Sequence, residues 1–303
     1  MMKKWLSFLL ACLLPLSGAL AADPNLPDLT GGPLPQLEKV TFEAVAYDMP
    51  SEGRFNYAAD KANFSEDGMS YHDATLDVKL HKFHIYNADV TVAFVQIADP
   101  DQLRTQQAKK YPSKATARID TIAKPVKSVF AVNGDWFTYR NDGIVYRNGE
   151  LLRSREMPED EGLAIDINGN FHIVSPMTEA EYAKLEVPVM QSFAFGPALV
   201  VDGEVPEIIR KLTYRQRMAI GQVDELCYVF VAADGTNEDD GEGLSVPELA
   251  QLMHDLGAKI AYNLDGGQST SMLMGNTKVN GKPKTMRAIG DIIYFTTAVP
   301  NEE

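Results

Sequence analysis

The chain has 303 residues, 45% of them hydrophobic, and carries 42 acidic against 28 basic side chains, a formal net charge of −14. Such a surface repels nucleic acid and anionic membranes, which argues against a nucleic-acid partner and against a membrane-surface protein. It also repels anionic small molecules, so a phosphate-bearing ligand would require a local gathering of arginines or backbone N–H groups.

In chain order, Met1-Met2-Lys3-Lys4, the apolar run Trp5 to Leu16 and then Ala19-Leu20-Ala21 read as a cleavable export signal over residues 1–21. The apolar run is shorter than the ~20 residues that span a bilayer. The expectation is a periplasmic or secreted protein with no membrane insertion after cleavage. The alternative is lipidation at Cys12, against which stands the apolar stretch continuing through Leu13, Leu14 and Leu16. Removing residues 1–21 leaves Cys227 alone, so no intrachain disulfide forms. Its apolar run, Glu225 to Val231, marks it as core filling.

Residues 22–37 carry four prolines and Gly31-Gly32 and read as a flexible lead-in to a single domain over 38–299. Strand signals follow at Val40 to Val45, Ala74 to Leu80 and Val90 to Val95. Short helices are expected over Asp101 to Ala108 and Thr116 to Ala123. The strongest helix signal begins at Ser245, with Pro247 in the first turn and Glu248 completing a capping box. Leu249, Leu252, Met253 and Leu256 then recur at helical spacing, and Gly257 ends the run before a buried strand, Lys259 to Tyr262. The expected fold is α+β (mixed α/β), a strand-rich single domain with a few packed helices.

Three apolar strands end in clusters of Asn, Asp and Gly: Asn133-Gly134-Asp135 after Ser128 to Val132, Asp234-Gly235 after Tyr228 to Ala233, and Asn263-Leu264-Asp265-Gly266-Gly267 after Ile260 to Tyr262. Each one alone reads as a turn. The third adds Gln268, Ser269, Thr270 and Ser271, more polar convergence than a hairpin needs, and its Gly266-Gly267 N–H groups could form an anion nest. Arg215 and Arg217 alternate onto one side of an extended segment, and Arg287 precedes a similar Ala-Ile-Gly step. Guanidinium groups there would meet the phosphate requirement.

Asn133-Gly134-Asp135-Trp136-Phe137, Phe195-Gly196-Pro197-Ala198-Leu199-Val200, Arg217-Met218-Ala219-Ile220-Gly221 and Asn263-Leu264-Asp265-Gly266-Gly267 occur in the order in which the phosphodiester glycosidase family carries them, and the chain resembles that family over roughly Val40 to Phe295. The resemblance implies a hydrolase that cuts a sugar from a sugar-1-phosphodiester in cell-envelope or exopolysaccharide glycans, with a carbohydrate-phosphate substrate. It places Asn133, Asp135, Arg217 and Asp265 in the active site, shaped by Gly196, Gly266 and Gly267; Gly134, Asp234, Asn263, Ser269 and Arg287 are further substrate-binding candidates. Gln268 stands where the family usually has a further glycine. Asp265 or Asp135 is expected as base or nucleophile, with Arg217, Arg287 and the N–H groups near Gly266 on the phosphate. The alternative is a non-catalytic periplasmic glycan-binding protein of the same fold.

No cofactor is required by this scheme. Asp234 to Glu242 is acidic enough to suggest Ca²⁺, but placing Gly241 sixth in an EF-hand loop puts Thr236 first and Pro247 twelfth, and neither fits. A solvated rim loop is the better reading. The five histidines show no metal-ligand spacing; His81 and His84 fall on opposite faces of a strand.

Overall fold

The computed structural model describes residues 25–42, 54–207, 213–235, 243–281 and 286–300. The signal segment, Cys12 and the acidic stretch Thr236 to Glu242 lie outside them. The domain opens with β1 (Ser70–His72), β2 (Leu76–Ile85) and β3 (Ala88–Ile97), then β4 (Leu103–Gln107), α1 (Ile119–Ala123) and β5 (Phe130–Asn133). A hairpin of β6 (Gly143–Arg147) and β7 (Glu150–Arg155) leads to β8 (Gly162–Asp166), β9 (Phe171–Val174), α2 (Glu179–Ala183) and β10 (Val189–Phe193). The chain then forms β11 (Ala198–Val200), β12 (Arg217–Asp224), β13 (Cys227–Gly235), α3 (Val246–Asp255) and β14 (Ile260–Leu264). It closes with β15 (Met272–Met274), β16 (Thr277–Lys278) and β17 (Asp291–Phe295).

Two sheets dominate. One has seven strands in the order β1-β2-β3-β13-β12-β14-β11, the other five in the order β16-β15-β5-β17-β4. Every ladder between these strands is antiparallel. The α/β alternative, which needs parallel crossovers, therefore gives way to a mostly β arrangement with few, short helices. The sheets face each other across a core that includes Val78, Val95, Phe130, Val132, Phe230 and Phe295. Phe230 packs edge-on to Phe130 and to Phe295, at ring separations of 5.2 and 5.7 Å, and so joins the layers. α3 covers the outer face of the larger sheet through Leu249, Leu252, Met253 and Leu256, and α1 covers the smaller one through Ile119 and Ile122.

The expected capping box is present: the Ser245 hydroxyl accepts from Glu248 N, and the Glu248 carboxylate accepts from Ser245 N. Elsewhere tertiary pairing overrides local propensity. The expected helix over Asp101 to Ala108 shrinks to one 3₁₀ turn, Pro100–Gln102, because Leu103–Gln107 pairs with β17 as β4. The helix expected from Thr116 starts at Ile119, since Ala117 is bridged to Ile289. Val40 to Phe42 are irregular rather than strand. The lead-in is also not free over its described residues. Leu29 N–H donates to His84 O, His84 N–H to Pro27 O, and Leu29, Leu34 and Leu37 pack against the apolar cluster on the outer face of the larger sheet. Cys227 is buried and unbridged, and burial pushes its thiol up, as suits a core residue.

Candidate active site

The seam between the sheets brings the first and third strand ends together. β5 ends at Asn133, and its buried side-chain amide donates to Asp265 O at 2.8 Å, just beyond the end of β14. The Asn133 carbonyl oxygen accepts from Ser271 N at 3.0 Å, so this one residue staples both ends of the 265–271 turn. Gly266 has to be glycine here, because a Cβ would lie 2.6 Å from Gln216 O, just before β12. Asn263 donates to Gly196 O at 2.7 Å and thereby ties the Gly196-Pro197 step to the same turn.

The two expected carboxylates occupy different settings. Asp135 is buried, and both of its oxygens are taken, Oδ1 by Arg147 Nη2 at 2.7 Å and Oδ2 by Ala194 N at 2.8 Å. Asp265 is half-buried, close to Ser269 and Gly266 of its own turn. Burial holds the Asp265 carboxyl above the usual carboxylate range, against the pull of Ser269 and of the nearby Arg287 charge, with the Asp135 carboxylate adding to the rise. Arg287 reaches the Ser269 hydroxyl at 3.4 Å and lies over the Tyr139 ring.

Two residues that the strand-end pattern does not reveal complete the cluster. Arg147, at the end of β6, is fully buried between Asp135 and Asp291, donating to Asp291 Oδ2 at 2.7 Å. Its guanidinium is sandwiched by the rings of Phe137 and Phe193, at 4.8 and 4.6 Å. Asp291 begins β17 beside Gly134, where a Cβ would meet its Oδ1 at 2.4 Å. Burial pushes the Asp291 carboxyl up, and the Asp135 carboxylate adds to that effect against the opposing Arg147 charge. The available signal was a second Gly-Asp pair, Gly290-Asp291, at a strand edge.

Other expected residues stand differently. Arg217 shares a face of β12 with Ala219, the face under α3, and donates through Nε to Leu244 O at 3.0 Å and through Nη2 to Thr213 O at 2.7 Å. The charge that its guanidinium senses is Arg215, not a carboxylate. Arg215 is exposed and bridged to Leu244, outside the strand. Of the two N–H groups expected to form an anion nest, Gly267 N–H is already engaged, donating to Gln216 O at 2.9 Å. Gln268 is exposed at the rim.

Asp234 lies behind the turn rather than in it. It accepts from Asn280 Nδ2 at 2.9 Å, and Asn280 in turn holds Thr270 O and Met272 N. Burial pushes its carboxyl up to about 6. The native state then binds more protons than the unfolded chain between about pH 4 and 6, so stability falls as pH rises through that window and levels off above it. A shift of this size corresponds to about 3 kcal/mol at most. Asp234→Asn should lack that fall: the difference in urea-unfolding stability between pH 4.5 and 7 should shrink by about 1–3 kcal/mol. The same pH dependence in both proteins would exclude this assignment.

Among the described residues, no group of three or more His, Cys, Asp or Glu side chains is placed to hold a metal ion, and no helix is long and apolar enough to cross a membrane.

This strand-rich frame, with carboxylates and arginines at the seam, has the fold of a glycosidase-type hydrolase. The chain belongs to the phosphodiester glycosidase family, whose sequence profile matches residues 127–296. Among solved structures, the catalytic domain of zebrafish N-acetylglucosamine-1-phosphodiester α-N-acetylglucosaminidase, auto-inhibited by its pro-peptide, superposes with a TM-score of 0.60 at 16% identity. That match covers 80% of this chain and 87% of the zebrafish one. A hypothetical protein from Synechocystis gives a TM-score of 0.57 at 17% identity, over 73% of this chain and 62% of that one. No curated protein sequence matches.

Proposed function

We propose that the protein is an exported hydrolase that releases a sugar from a sugar-1-phosphodiester in cell-envelope or exopolysaccharide glycans. The observation that carries this reading is a half-buried carboxyl, Asp265, lying in the field of a cation, Arg287, that reaches the Ser269 hydroxyl of the same turn. Cleavage of a sugar C1–O bond passes through an oxocarbenium-like state. A phosphomonoester is already a good leaving group, so neutralising its charge matters more than protonating it. Arg287 supplies that charge, and ionised Asp265 acts at the anomeric side, as base toward water or as nucleophile. Asp135 serves as the counterion of Arg147, which fixes the 133–138 turn. The scheme calls for no metal or cofactor.

A sugar also needs a platform. Trp136 and Tyr139, 38% and 47% exposed, lie 5.4 Å apart on the turn after Asp135, with Tyr139 against Arg287. Their ring faces suit the C–H face of a sugar. Trp136→Ala should raise KM about 10-fold with kcat little changed, on the order of 1.4 kcal/mol of binding; steady-state kinetics with unchanged KM would remove Trp136 from the sugar site.

The deciding assay presents N-acetylglucosamine-1-phosphodiesters and phosphodiester-linked envelope glycans to the full chain and follows free sugar and phosphomonoester by ³¹P NMR. Release of both supports the proposal. Binding without release favours the second reading, a glycan-binding protein of this fold, which the full engagement of Asp135 and Arg217 with protein partners would suit.

A further inference from the structure

On the far side of the Asp135–Thr138 turn lies a cavity of about 150 Å³ whose walls include Lys114, Arg140, Arg153 and Arg155, together with Phe137 and Thr138. In a chain with 42 acidic side chains, no carboxylate among the described residues lines it. None of its four cations has an ion-pair partner among the described residues. Two are fixed by backbone carbonyls rather than by counterions. Arg153 Nη1 donates to Phe137 O at 3.0 Å and to Arg140 O at 2.8 Å, and Arg140 Nη1 donates to Ala194 O. Arg153 Nη2 is buried with no hydrogen-bond partner. Lys114 donates to the Asn141 side chain at 3.1 Å. Asp135 and Asp142 are the carboxylates whose field reaches Arg153, and neither lines the cavity. Gathering like charges in a partly desolvated space is unfavourable unless an anion shares it.

We propose that this cavity is an oxyanion site that seats a phosphate group, separate from the phosphate position at Arg287. The planar guanidinium groups of Arg140, Arg153 and Arg155 match a tetrahedral oxyanion in charge and donor chemistry, and the exposed Lys114 and Arg155 would draw it in. The site is tied to the Asp135–Arg147 pair, because Ala194, whose N–H holds Asp135, offers its carbonyl to Arg140. The phosphate could come from two sources. On the glycosidase reading above, it is the next phosphate along a repeating phosphodiester glycan; otherwise it is free inorganic phosphate.

The test is calorimetric titration of the full chain with inorganic phosphate at low salt, which needs no turnover and so stands or falls apart from the proposed activity. Binding should weaken at least 10-fold in Lys114→Gln/Arg155→Gln, whose side chains are exposed and carry no packing, and should persist in Arg287→Gln. Binding unchanged in the double variant, lost only in Arg287→Gln, or absent from the parent at tens of millimolar phosphate would overturn the proposal. Kinetics then separate the sources. If the substrate supplies the phosphate, the double variant raises KM for a polymeric phosphodiester at least 5-fold more than for a single one. If free phosphate is the ligand, the two KM values change alike, and added phosphate alters the turnover of the parent but not of the double variant.

Discussion

Asp265→Asn should lower kcat by about 10²–10⁴-fold, the usual contribution of a positioned acid–base or nucleophilic group, while the fold is retained. The pH profile gives the sharper reading. Burial raises the Asp265 carboxyl, so the ionised, active form populates only above the ordinary carboxylate range. The acidic limb of kcat/KM in the parent should therefore lie above the ordinary carboxylate range and vanish from whatever activity the variant retains. The same shift sets the sign of the stability effect. A carboxyl whose folded pKa is raised is less stable ionised in the native state, so at pH 7 its charge opposes folding. Removing that charge should leave the melting temperature at pH 7 no lower than the parent's, the usual opposition between activity and stability at a strained site. A variant of normal turnover, or one inactive only because it has unfolded, would sink the assignment.

Arg147→Met should cost about 3–5 kcal/mol of stability, the range for removing one partner of a buried ion pair. The guanidinium separates two buried carboxylates and donates to both; without it Asp135 and Asp291 face each other uncompensated. Arg147→Lys should recover little of the loss, since an ammonium lacks the planar fork that spans both acids between two rings. Adding Asp291→Asn to Arg147→Met should restore part of the stability, because one of the stranded charges is gone. Urea denaturation of the four proteins measures this; a loss below about 1 kcal/mol in Arg147→Met would mean that the charges are solvated and the ion-pair triad is not structural.

The contrast between Asp265 and Arg147 shows what the sequence can carry. Asn133, Asp135, Asn263 and Asp265 sit where apolar strands stop, a local pattern that marks a rigid polar rim without knowledge of the tertiary fold. α3 was legible for the same reason, since its capping box and spacing are local. Arg147 was not. It precedes Asn148-Gly149, both at positive φ in the β6–β7 hairpin, and nothing local distinguishes it from a solvated hairpin arginine; its burial comes from Phe137 and Phe193, ten and forty-six positions away. Arg217 shows the opposite limit: the strand alternation around it was legible, but not that its guanidinium donates to the carbonyl oxygens of Leu244 and Thr213. Asp101 to Ala108 failed because strand pairing to residues nearly two hundred positions later outweighs helical propensity.

Asn133 rides on the smaller sheet and Asp265 on the larger, and the bond between them is direct. On the function proposed above, no single layer owns the reaction centre, so its alignment would measure how well the layers mate. Substitutions that loosen the interlayer aromatic contact at Phe230 would let one layer creep past the other and misalign the centre while every strand remained paired. Catalysis would then fade on warming ahead of the global melt, and the upper working temperature of the enzyme would be set by interlayer adhesion rather than by hydrogen bonding within either sheet.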